Sequence, residues 1–121
     1  MGAISMEQFE TIRTAIRFYR EEIVEIAQDI PFKEVKDDAI GDIYTSAERA
    51  IEAMKLNITE GWRVRENDLK FMLESVEYCI KDLEETLETN PDCYRKGVLD
   101  NIEMLKALRE AIQSWFPKAA W

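Results

Sequence analysis

The chain has 121 residues, which fits one domain built around a single core. Its 25 acidic and 16 basic residues give a formal net charge of −9, and this charge opposes binding to polyanions, since nucleic-acid binding depends on Lys and Arg neutralising phosphates. The chain contains no histidine, which excludes Ser–His and Cys–His nucleophile pairs and the Glu-x-x-His ligands of di-iron helical bundles.

The first predicted helix covers about residues 6–29. Ser5 precedes it and Gln8 follows three residues later, a pattern typical of a capping box. Pro31 ends the helix, because proline disfavours a helical conformation of the residue before it. The apolar residues alternate between spacings of three and four, which predicts one buried face: Phe9, Ile12, Ile16, Tyr19, Ile23, Ile26 and Ile30.

The second predicted helix covers residues 33–60 and ends at Gly61, where glycine suits the left-handed conformation that follows many helices. Gly41 lies inside this helix and marks either a tight contact or a kink. The apolar positions predict a buried face with small residues in its middle: Val35, Ala39, Ile43, Ala47, Ala50, Met54 and Ile58.

Two further helices are predicted at 67–89 and 91–116, followed by an aromatic tail at 117–121. Asn90 resembles an N-cap with Pro91 at the first position of the fourth helix. Because the connections are short, consecutive helices should run antiparallel, and the whole chain is predicted to be one all-α, up-down four-helix bundle.

The residue chemistry predicts no catalytic site, no cofactor and no metal site. A cluster of carboxylates at Asp37, Asp38 and Asp42 could bind a metal, but it lacks a glycine-containing calcium loop and is more typical of a solvated helix face. Cys79 and Cys93 match no zinc spacing and are expected to be reduced thiols. With no signal-peptide pattern and no long apolar run, the protein is expected to be cytoplasmic and soluble, without a membrane partner.

Five arginines form a candidate patch for a protein partner or a nucleic acid. Arg13, Arg17 and Arg20 recur along one side of the first helix, and Arg63 and Arg65 follow the second helix. The simpler interpretation is that nearby acids neutralise them, for which the sequence offers the pairs Arg17–Glu21 and Arg13–Glu10.

Aromatic residues near two helix ends form a candidate oligomer interface: Trp62, Trp115, Phe116 and Trp121. Tryptophan is enriched where an apolar side chain needs partial burial, including subunit interfaces. The alternative is that the two tryptophans near the C-terminus cap the open end of the bundle's own core.

The turn between the second and third helices carries a family resemblance. Asn57-Ile58-x-Glu60-Gly61-Trp62 with Arg65, then Leu69-Lys70-Phe71-Met72 and Asp82-Leu83-Glu84, resembles the four-helix-bundle family of 23S rRNA intervening-sequence proteins, to which the Avd accessory proteins of diversity-generating retroelements are similar in fold. The resemblance implies a small homo-oligomer, often a pentamer, without known catalysis. Its Avd branch binds a reverse transcriptase and nucleic acid through basic surfaces, from which this acidic chain departs.

These observations predict a non-catalytic interaction or accessory protein that forms homo-oligomers. The alternative is a nucleic-acid-binding accessory subunit of an RNA or reverse-transcriptase complex that uses the five arginines. The turn itself is interpreted mainly as a helix end, with Arg63 and Arg65 close to the negative end of the second helix.

Overall fold

The computed structural model describes residues 3–90, 92 and 94–117. These residues form four helices and no strand, which confirms the predicted all-α four-helix bundle. The helices are α1 (Met6–Ala27), α2 (Lys33–Glu60), α3 (Glu66–Thr89) and α4 (Arg95–Trp115).

The helices alternate in direction. Contacts between Ile4 and Asn57 at one end and between Arg20 and Tyr44 nearer the other place α1 antiparallel to α2. α3 packs on α1 and α2, and α4 packs along α3. The start of α1, the end of α2, the start of α3 and the end of α4 therefore share one end of the bundle.

α1 begins as predicted and ends two residues earlier than predicted. The Ser5 hydroxyl accepts a hydrogen bond from the Gln8 N–H and the Gln8 side chain accepts one from the Ser5 N–H, so the capping box forms. The predicted apolar face of α1 is fully buried only in its first part. Near the end of the helix Ile26 is 58% exposed, and its neighbour Ala27 is buried instead. A straight helix turns about 20° per heptad away from a strict seven-residue repeat, which rotates Ile26 out of the core.

α2 is buried along its second half and exposed at its start. Ile43, Ala47 and Met54 lie in the core, whereas Val35 is 54% exposed. Gly61 ends the helix with φ 71°, and its N–H donates to the Asn57 carbonyl. Beyond the nearby backbone of α2 itself, a Cβ added at Gly41 would meet no described atom within 4 Å, so of the two alternatives for this glycine the tight contact is wrong.

α4 begins four residues later than predicted. Asn90 is the C-cap of α3, where its N–H donates to the Thr86 carbonyl, and Tyr94 is the N-cap of α4. The prediction that Asn90 caps α4 is therefore wrong, and Pro91 lies outside the described residues. The residue before a proline avoids the helical conformation, so Asn90, with φ −128° and ψ 88°, ends α3 but does not start the next helix.

One core joins all four helices. Its fully buried side chains include Ile12 and Ile16 of α1, Met54 of α2, Met72 of α3 and Ile112 of α4. Within the described ranges, no helix combines the length and the apolar character needed to cross a bilayer.

Candidate functional site

Three polar contacts hold together the end of the bundle where α1 begins. The buried Asn57 side chain accepts a hydrogen bond from the Ile4 N–H at 2.9 Å and donates one to the Trp62 carbonyl at 2.9 Å. The Trp62 N–H also donates to the Leu56 carbonyl. We call Ile4, Asn57 and Trp62 the Asn57 junction. It fixes the segment before α1 against the turn that follows α2.

The turn after α2 alternates between exposed and buried side chains. Val64 is buried in the core, whereas Arg63 and Arg65 on either side of it are exposed. Val64 anchors the turn, and Gly61 allows the chain to reverse direction. The Asn57–Arg65 stretch therefore has a structural role, and two arginines remain available at its surface.

The arginines of α1 differ in what they contact. Arg13 lies over the Phe9 ring at 5.1 Å and Arg20 over the Tyr44 ring at 5.0 Å, both within the range of cation–π attraction. Arg17 is exposed. Among the described residues, neither predicted ion pair with Arg13 or Arg17 forms, and Glu21 lies 3.8 Å from Arg20 instead.

The five arginines are spread along the bundle and do not form a compact cluster. At 1.5 Å per residue, Arg13 lies about 10 Å from the start of α1 and Arg20 about 21 Å from it. Arg63 and Arg65 lie at the end where α1 starts. The helix stripe therefore extends away from the two arginines of the turn.

The predicted aromatic interface is divided between two environments. Trp115 and Phe116 are partly buried against the core, which favours the interpretation that they cap it. Trp62 is 62% exposed and is the accessible residue among the three of this set that the structure describes. Trp121 lies outside the described residues.

The carboxylates of α2 do not converge. Asp37, Asp38 and Asp42 are exposed. In the part of the chain that the structure describes, no three His, Cys, Asp or Glu side chains come together in an arrangement that could hold a metal ion.

An open groove runs between α1 and α4, with α3 as its floor. Its main part has a volume of about 400 Å³, with Thr14 and Phe18 on the α1 side, Met104 on the α4 side and Leu83 on α3. A second part of about 310 Å³ continues it toward the start of α1, and Thr11 and Met104 line both parts. We call this feature the α1–α4 groove.

The polar groups of the α1–α4 groove are mostly bonded to their own helices. The Thr11 hydroxyl donates to the Glu7 carbonyl, and the Thr14 hydroxyl donates to the Glu10 carbonyl. The Asn101 amide, on the other wall, donates to the carbonyl of Gly97. The groove therefore presents apolar surface, and its carboxylates are the remaining strong polar groups.

Cys79 lies on the floor of this groove and is partly buried. Burial, with a smaller contribution from the Asp82 carboxylate, raises the pKa of its thiol to about 11. Because the thiolate is the nucleophile, a thiol that stays protonated at neutral pH is poorly reactive.

Sequence reasoning did not identify Ile4, Val64 or the groove. Ile4 and Val64 are single apolar residues outside the periodic segments, and no spacing marks them as buried. The groove depends on the distance between two helices that are not consecutive in the chain.

The chain matches no protein-family model, and the comparisons with curated proteins and with solved structures gave no match. Membership in the family of intervening-sequence and Avd proteins therefore stays a prediction from the turn motif.

Proposed function

We propose that this chain is a non-catalytic interaction or accessory protein that associates with copies of itself. The observation that carries the proposal is the exposure of large apolar side chains around the turn between α1 and α2. Ile26 is 58% exposed and Phe32 is 70% exposed, and Val35 at the start of α2 is comparably accessible.

The exposed side chains support association because exposed apolar residues that lie close together are typical of protein–protein contacts. Ile26, Phe32 and Val35 fall within ten residues of sequence and share one end of the bundle. The core is complete without them. If a second copy covered these side chains, each Å² of apolar surface removed from water would stabilise the complex by roughly 25 cal/mol.

The non-catalytic part of the proposal rests on the chemistry of the chain. It has no histidine to act as a base, and the thiol of Cys79 is held in its protonated form by a raised pKa. The described carboxylates are dispersed over the surface, which suits solubility and partner choice better than acid–base catalysis.

Light scattering in solution tests the proposal. We expect the wild type to have a mass that is a multiple of 14.2 kDa, with five copies if the family resemblance holds. The double variant Phe32→Ser/Val35→Ser should have a lower mass, and Ser at the N-cap position of Phe32 should not weaken α2.

Trp62→Ser tests the interface predicted from the sequence, because Trp62 is comparably exposed but lies at the opposite end of the bundle. A lower mass for Trp62→Ser alone would place the contact at that end. A monomeric wild type would refute self-association.

The second candidate function is binding of nucleic acid. It is favoured by the exposure of Arg17, Arg63 and Arg65, which form no ion pair with any described residue. The net charge of −9 works against it at long range.

Anisotropy of a labelled single-stranded RNA separates this candidate from the first. If it is correct, affinity falls steeply with salt and is lost when the three exposed arginines are replaced by Ala. Replacing Lys70 and Lys96, which already pair with Glu66 and Asp100, is the control and should change little. If the protein does not bind the RNA even at low salt, this candidate function is refuted.

A further inference from the structure

The α1–α4 groove has the shape of a site for an elongated ligand. Along α1 it extends from Ser5 to Phe18, about 20 Å at 1.5 Å per residue. A bound helix of about fourteen residues would match this length. The α4 rim carries Met104, which is 45% exposed and whose flexible side chain suits the irregular apolar face of a docked helix.

The charged side chains at the groove indicate which kind of helix it would bind. Glu10 on α1 and Asp82 on α3 line it, and neither forms an ion pair with any described residue. The hydroxyl groups on the α1 side already donate to backbone carbonyls of that helix. A ligand therefore meets an apolar surface flanked by carboxylates that have no cationic partner within the described chain.

A second copy of this chain fits this groove poorly. The segment around its exposed Phe32 and Val35 carries Lys33 and Lys36 as well as Glu34, Asp37 and Asp38, so it has no uniformly basic flank. The second copy as a whole carries the same net charge of −9, and like charge brought toward Glu10 and Asp82 opposes binding.

We infer that the α1–α4 groove binds an amphipathic helix of a different protein, with an apolar stripe flanked by Lys or Arg. The apolar stripe would cover Met104 and Leu83, and the cations would pair with Glu10 and Asp82. The net charge of −9 would attract such a helix over a distance and speed its association. The inference rests on the proposed interaction role but uses a surface separate from the turn between α1 and α2.

Synthetic helical peptides test this inference. Three peptides of about fourteen residues share one leucine stripe and carry Lys, Gln or Glu at the flanking positions. Binding is measured by fluorescence anisotropy at about 50 mM and about 300 mM salt. We expect the Lys peptide to bind about tenfold more tightly than the Gln peptide at low salt, the Glu peptide to bind least, and the difference to shrink at high salt.

Variants locate the binding. Thr14→Trp fills the groove, and Met104→Arg adds a cation at its rim; both positions are exposed, so the fold should persist. Each should weaken binding of the Lys peptide about tenfold. Glu10→Gln/Asp82→Asn should remove the preference for Lys over Gln, whereas Glu48→Gln/Glu52→Gln on the exposed face of α2 should retain it.

Each other outcome overturns the inference. If no peptide binds, or if the Lys and Gln peptides bind equally, the groove does not select a basic helix. If Thr14→Trp and Met104→Arg bind the Lys peptide as the wild type does, the peptide adheres to the acidic surface elsewhere.

Light scattering separates this failure from failure of the proposed function. Thr14→Trp should keep the solution mass of the wild type. A lower mass would mean that a second copy occupies the groove, which would overturn the inference while supporting self-association.

Discussion

Replacing Asn57 by Ala should be one of the most damaging single substitutions of a polar residue in this protein. Asn57 is buried, and its side chain bonds to the Ile4 N–H and to the Trp62 carbonyl. Asn57→Ala removes both bonds at once. The Ile4 N–H is itself buried and would lose its partner, whereas water can reach the Trp62 carbonyl more easily.

The expected loss of stability follows from these two bonds. An unsatisfied buried donor costs about 1–3 kcal/mol, and a lost bond that water replaces costs about 0.5–1.5 kcal/mol. The better helix propensity of Ala recovers about 0.5 kcal/mol. These contributions sum to a loss of about 1–4 kcal/mol, and we expect the free energy of unfolding to fall by an amount near the middle of that range, about 2–3 kcal/mol. For 121 residues the unfolding entropy is about 250 cal/mol/K, so Tm should drop by roughly 8–12 °C.

Thermal and urea unfolding followed by far-UV circular dichroism measures this change. Asn67→Ala is the control, because Asn67 is exposed in the first turn of α3 and its replacement should change stability by less than about 0.5 kcal/mol. Amide exchange at Ile4 should also accelerate in Asn57→Ala. If Asn57→Ala and Asn67→Ala unfold at the same temperature, the Asn57 junction contributes no stability and the reasoning is wrong.

Three further predictions concern glycine and cysteine. Gly61→Ala should lower the free energy of unfolding by about 1–2 kcal/mol, because a side chain at φ 71° is strained even where no atom crowds it. Gly41→Ala should raise it by about 1 kcal/mol, because the site is helical, exposed and open. In a Cys93→Ser background, Cys79 should react with iodoacetamide on the order of a hundredfold more slowly than an ordinary thiol at about pH 8, since its pKa is about 11.

Each of these three predictions can be contradicted by a specific result. The two glycine variants, compared by urea unfolding, should shift in opposite directions, and a shared direction would contradict the backbone argument. The alkylation rate of Cys79 should rise with pH up to about 11, because deprotonation creates the nucleophile. A rate that levels off near the pKa of a free thiol would contradict the burial of this side chain.

Local signals in the sequence predicted a helix end correctly where a single capping interaction determines it. Ser5 with Gln8 defined the start of α1, and Gly61 defined the end of α2, because capping depends on a few neighbouring atoms. Asn90 was misinterpreted because a residue before proline ends one helix without locating the next. The connection to α4 is set by how that helix packs on α3, which a local pattern does not contain.

The candidate site was less predictable than the fold. The turn that contains Asn57 was interpreted as a helix end, but the bond between Asn57 and Ile4 joins residues 53 positions apart and was not predicted. The α1–α4 groove arises from the spacing of two helices, and the stacking of Arg13 and Arg20 on rings depends on rotamers. Periodicity gives the buried face of each helix but not the gap left between two of them.

The placement of the tryptophans has a spectroscopic consequence. Trp62 follows α2 and Trp115 ends α4, and the alternating directions of the helices bring both to the end where α1 begins. The paired rings of Tyr19 and Tyr78 lie along the body of the bundle instead. In a Trp121→Phe variant, emission from Trp62 and Trp115 would therefore report the packing of this end of the bundle, whereas circular dichroism reports all four helices.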